Sequence, residues 1–212
     1  MPSRSQPRRS QGERSALMRG RILDATLACL AERGYAGTTT TAVAERAGVS
    51  RGAQLHHFRT RHELLAAAVQ HLYAGLTEKF QKGFATLPPD ADRIHAALSL
   101  LWETYLDPTL TAVLELQLAA RIDRPLLASL LPVSERHHAN ILRLAREYFP
   151  EAAATSPRFA AVLDLIVDAC GGLRLRALLR PDDPAIPRTL ELLESLARDA
   201  LAVAEVGDDA DA

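Results

Sequence analysis

Cysteine is scarce in this sequence. Cys29 and Cys170 are the only two, each in an apolar stretch with no CxxC spacing. A disulfide framework and a cysteine-built zinc site are therefore excluded, and a reducing cytosol fits best. Long apolar runs are missing too: no stretch reaches the roughly eighteen uninterrupted apolar residues that a membrane span requires. The N-terminal MPSRSQPRRSQGERS is basic but lacks the apolar segment of a secretory signal. No run of alternating β-branched residues suggests a strand. HExxH, GxSxG, a P-loop and a glycine-rich dinucleotide turn are all absent. No catalytic machinery, cofactor or metal site is expected, because the pairs His56-His57 and His137-His138 are adjacent and point roughly 100° apart on a helix.

Lysine is absent from the first 65 residues, where eleven arginines face five acidic residues. The remaining residues carry fourteen basic and twenty-one acidic side chains, so the net charge of −1 conceals a basic N-terminal part and an acidic remainder. That asymmetry suits a chain that meets a polyanion with one end. A basic tail explains only part of it. Arg4, Arg8, Arg9 and Arg14 lie in the tail, whereas Arg19, Arg21, Arg33, Arg46, Arg51, Arg59 and Arg61 lie in patterned sequence.

With 212 residues, 48% of them hydrophobic, the chain can bury a sizeable core. Apolar residues recur at helical spacing almost throughout, which predicts an all-α fold. The expected helices cover about 15–33, 39–47, 51–57, 60–83, 90–106, 108–121, 124–149, 157–179 and 185–205. Gly34 suits the end of the first, Thr39 or Thr40 caps the second, Gly48 stops it, and Ser50 caps the third. Two short helices joined by Gly48-Val49-Ser50 form a helix-turn-helix, a unit whose second helix fits the DNA major groove. A hairpin inside an ordinary bundle explains Ala44, Ala47, Gly48 and Val49 equally well. It does not explain Thr40, Ser50, Arg51, Gly52, His56, His57 and Arg61, which place short donors, a bare backbone and cations toward one side.

The stretch from Glu32-Arg33-Gly34-Tyr35, through the Thr-Thr-x-x-x-Val-Ala-x-x-Ala-Gly-Val-Ser of 39–50, to His57-Phe58 and Thr60-Arg61 resembles the DNA-binding domain of the tetracycline-repressor (TetR) family. The likeness covers about a quarter of the chain. It implies a DNA-binding head with an all-helical ligand-binding and dimerising domain: a basic tail at 1–14, the head at 15–66, the second domain at 67–206 and an acidic tail at 207–212. It also implies a cytoplasmic, homodimeric regulator of transcription, most readily a repressor released from a pseudo-palindromic operator by a small molecule. Expected contacts to double-stranded DNA are Thr40, Ser50, Arg51, Gly52, Ala53, Gln54, Leu55, His56, His57 and Arg61. Where the family usually has Leu then Tyr, this sequence has Gln54 and Leu55. Which of the two faces DNA stays open, and a small-molecule sequestering protein with a vestigial head is the alternative.

Past residue 66 the likeness is architectural only. Trp102, Tyr105, Leu116, Gln117, Arg121, His137, Ile141, Val167, Cys170 and Arg174 mix apolar bodies with a few polar groups, which suits a largely apolar effector with one or two polar anchors. Stripes including Leu163, Ile166 and Leu173 on one helix, and Leu193, Leu196, Ala200 and Ala204 on the last, suit an intermolecular four-helix bundle.

Overall fold

The structure, a computed structural model, describes residues 10–201. Arg4, Arg8, Arg9, Ala204 and the acidic tail lie outside them. Among the described residues there are ten helices and no strand: α1 (Gln11–Gly37), α2 (Thr40–Ala47), α3 (Arg51–His57), α4 (Arg61–Ala85), α5 (Arg93–Tyr105), α6 (Pro108–Ala120), α7 (Arg124–Tyr148), α8 (Pro150–Thr155), α9 (Phe159–Leu179) and α10 (Ala185–Leu201). None of them is long and apolar enough to cross a membrane.

Helix α1 begins four residues earlier than the apolar pattern alone indicates. Ser10 and Glu13 form a reciprocal capping box, the serine hydroxyl accepting from the Glu13 amide and the Glu13 carboxylate accepting from the Ser10 amide. Its regular course ends at Gly34, whose φ of 66° and ψ of −174° break the helix before a last turn through Gly37. Helix α8 covers residues that the sequence pattern left outside any helix. Pro150 opens it, and a proline at the first helical position loses no hydrogen bond, since that amide has no partner within the helix.

The chain groups into two compact units. Among the described residues, one comprises those up to Leu72 together with Ala112–Leu131, and the other Tyr73–Thr111 together with those from Pro132 to 201. In the first, Ile22, Cys29, Val43, Phe58, Leu64 and Ala68 form a closed apolar core. Ile22 and Cys29 lie two turns apart on one face of α1, so both meet α2 and α4 residues. Full burial of each large side chain there stabilises by about 1.5–3 kcal/mol. In the second unit Leu98, Cys170, Leu173, Ile186 and Leu193 join α5, α9 and α10.

Candidate nucleic-acid interface

Local capping sets the geometry of α2 and α3. The Thr39 hydroxyl accepts from the Ala42 amide at 3.1 Å, and the Ser50 hydroxyl from the Ala53 amide at the same distance. Between the helices Gly48 adopts φ 63° and ψ 40°, the left-handed conformation that lets the chain reverse within three residues. Arg21 of α1 donates to the Ala47 carbonyl at 2.6 Å, satisfying an otherwise unpaired acceptor at the end of α2. Arg46 pairs with Glu32 through both guanidinium nitrogens at 2.5 and 2.7 Å, and that hydrogen bonding holds the Glu32 carboxyl below its usual range.

The turn fixes which side of α3 faces outward. Arg51, Gly52, Leu55 and His56 are exposed, while Ala53 and His57 are half-buried. At about 100° per residue, the four exposed positions span an arc of roughly 140° in the order Arg51, Leu55, Gly52, His56. Gln54 lies on the opposite side and is 3% exposed, which corrects its assignment as a DNA contact. It fills the inward position that the resemblance associates with leucine, and Leu55 faces out. Ser50 is exposed and Thr40 half-buried at the edge of this face. Burial, followed by the charges of His56 and Arg19, holds the His57 imidazole below its ordinary range.

Arg61 also needs correction. Its guanidinium does not reach outward as a phosphate contact: Nε donates to the Thr38 carbonyl at 2.9 Å, a terminal nitrogen donates to the Tyr35 carbonyl, and the group lies 4.1 Å from the centre of the Tyr35 ring. Tyr35 is thereby a hub. Its amide donates to Glu115 Oε1 at 2.7 Å and its hydroxyl to Asp123 Oδ2 at 2.6 Å. Asp123 also faces His62 Nε2 at 3.3 Å and caps α7 by accepting from the Leu126 amide at 3.0 Å. These partners, with the Tyr35 bond the strongest, hold the Asp123 carboxyl below its usual range. Beside the hub lies an open depression of about 560 Å³ lined by Tyr35, Ala119, Ile122, Asp123, Arg124 and Pro125. Tyr35, Glu115 and Asp123 were missed from sequence because the partners are 80 or more positions apart.

The expected effector residues divide between the two units. Gln117 and Arg121 are exposed and belong to the first unit. In the second unit His137 stacks on Tyr73, with ring centroids 3.7 Å apart and planes within 4°. Burial, helped by the charge of His138, pushes the His137 imidazole down to about 4. Burial also raises the Tyr105 phenol, the Cys170 thiol and the Tyr73 phenol, the last two to about 12. Trp102 and Tyr105 pack against the core around Cys170. Arg174 Nε donates to the Thr111 hydroxyl at 3.0 Å, while Ile141 and Val167 are half-buried.

Two expected interface residues are corrected as well. Leu173 and Leu193 are core residues of their own unit, and Ile166 packs against them. Leu163 and Ala200 are half-buried, whereas Leu196 is 39% exposed. Leu165, Leu175 and Leu179 of α9 and Leu192 of α10 are also exposed, so these two helices carry an apolar face beyond the one their own core consumes.

The model of the bacterial regulatory proteins of the tetR family matches residues 22–68. The HTH-type transcriptional regulator CymR of Pseudomonas putida is 33% identical over 198 residues, covering 93% of this chain and 98% of the relative. Among solved structures, the multidrug binding protein EbrR complexed with ethidium aligns with a TM-score of 0.63 at 27% identity, over 84% of this chain and 97% of that one. A TetR-family regulator from Rhodococcus sp. aligns with a TM-score of 0.69 at 23% identity, over 88% and 99% of the two chains, and shows the same fold.

Proposed function

Because the chain belongs to the TetR family of transcriptional regulators, we propose that it is a cytoplasmic homodimeric repressor that a small, largely apolar effector releases from a pseudo-palindromic operator. The observation that carries the DNA reading is the exposed face of α3, where Arg51, Leu55, Gly52 and His56 stand free above a helix whose Gln54 and Phe58 are sunk in the head. Arg51 and His56 are the base-reading side chains, and Thr40, Ser50, Ala53 and His57 flank them at the groove.

The effector reading rests on the aromatic and polarisable groups of the second unit, Tyr73, Tyr105, His137 and Cys170, buried or half-buried, with Trp102, Ile141 and Val167 as apolar surface and Arg174 as a polar anchor. EbrR, a relative in fold and sequence, binds ethidium; a largely apolar molecule is the corresponding expectation here. Helix α4 contributes residues to both units, so an effector that favours another setting of α4 changes the separation of two recognition helices and their match to successive major grooves. Dimerisation uses the exposed face of α9 and α10 through Leu165, Leu175, Leu192 and Leu196, with Ala200 at its margin, whereas Leu163 lies on the side of α9 that carries Cys170. Sequencing genomic fragments captured by the purified protein, with and without a metabolite panel, tests the reading. Enrichment of one inverted-repeat family that a metabolite abolishes supports it; recovery of fragments without sequence preference overturns it.

A further inference from the structure

Leu55 is 51% exposed in the middle of α3's outward arc, a large apolar side chain that the head's own core does not use. On one side of it along the arc lies Arg51, itself exposed. On the other is Gly52, where an added Cβ would meet only the Ser50 hydroxyl at 3.9 Å, so the helix backbone there is bare. A surface approaching α3 can thus come close beside Leu55 while Arg51 engages polar groups next to it. Leucine has no donor for a phosphate oxygen and no acceptor for a base amine. The major-groove edges of the four base pairs offer one apolar group, the C5-methyl of thymine.

We propose that Leu55 is a specificity-determining residue that recognises thymine through its C5-methyl group in the operator's major groove. The inference rests on the DNA-binding reading of α3 and adds what that reading lacks, a preference at one base pair per half-site carried by apolar contact alone. Arg51 and His56 then select neighbouring bases by hydrogen bonding. A leucine that packs on a methyl group discriminates thymine from uracil, which differ only in that methyl, and does so without changing the charge or hydrogen-bonding pattern of the duplex.

The test replaces each thymine of the enriched operator by deoxyuridine, one per half-site at a time, and measures affinity by fluorescence anisotropy for the wild type, Leu55→Ala and Arg51→Ala. Burying one methyl group corresponds to about a fourfold change in affinity. The wild type should lose about that factor at one thymine position in each half-site. Leu55→Ala should bind the thymine and uracil operators equally, and Arg51→Ala should keep the discrimination while binding more weakly. Uniform tolerance of uracil by the wild type, or unchanged discrimination in a folded Leu55→Ala protein, would overturn the proposal while leaving DNA binding intact. A wild type that prefers no operator over random duplex removes both the proposal and the reading beneath it.

Discussion

At the scale of single residues, Arg61 shows how a side chain's charge misleads until its neighbours are known. A cation at the start of α4 reads from sequence as a phosphate contact, yet its Nε and one terminal nitrogen donate inward to the Thr38 and Tyr35 carbonyls. Arg61→Ala is therefore expected to destabilise the head by about 2 kcal/mol, the scale of hydrogen bonds to a charged group, and to leave the salt dependence of DNA binding unchanged. Denaturant unfolding beside a salt titration checks both; a slope reduced by about one would restore the phosphate role. Lysine should not rescue the stability, because only the planar fork reaches two carbonyls while lying over the ring. His137 gives a pH signature. Its folded value of about 4 lies below the ordinary 6.5, so the unfolded state binds its proton first. This contribution is fully present above pH 6.5 and is lost as pH falls toward 4, by at most about 3 kcal/mol. Unfolding free energies for wild type and His137→Phe, measured across that window, should diverge as pH falls, with the variant less sensitive; parallel curves would contradict the assignment.

At the scale of elements, the head was legible because its signals are local. Thr39, Gly48 and Ser50 each act within three or four residues, and α2 and α3 start and stop where those residues require. Long-range chemistry was not legible. Nothing in the sequence near Gly34 announces that Glu115 will lie against it, nor that 112–131 will group with the head. Gly34 combines a positive φ with extended ψ, a region essentially confined to glycine, and an added Cβ would meet Glu115 oxygens at 2.8 and 2.9 Å. Gly48 sits in the milder left-handed region, with an Arg21 nitrogen 3.2 Å from an added Cβ. Gly34→Ala should accordingly cost about 1–3 kcal/mol and more than Gly48→Ala, for which about 1–2 kcal/mol is expected. Paired thermal melts decide the order; a larger loss at Gly48 would show that Glu115 moves aside freely.

At the scale of the whole molecule, apolar periodicity marked a stripe on each of α9 and α10, read as an intermolecular seam, without showing that much of it closes the protomer. Leu193, 4% exposed, and Leu173 belong to the inner side, while Leu196 lies outside. The two leucines of α10 should respond differently to a charge. Leu193→Glu buries an unpaired carboxylate in the protomer core and should unfold the second unit, whereas Leu196→Glu should leave the fold intact and separate the dimer. Analytical ultracentrifugation of a folded Leu196→Glu protein that stays dimeric would place the seam elsewhere. The central claim, that the basic head reads a specific duplex, is tested most directly by titrating the wild type against the enriched operator and a scrambled duplex at several salt concentrations. Binding to both should weaken steeply with salt, with the operator preferred by about a thousandfold or more. Equal affinity for the two duplexes, or binding indifferent to salt, would contradict it.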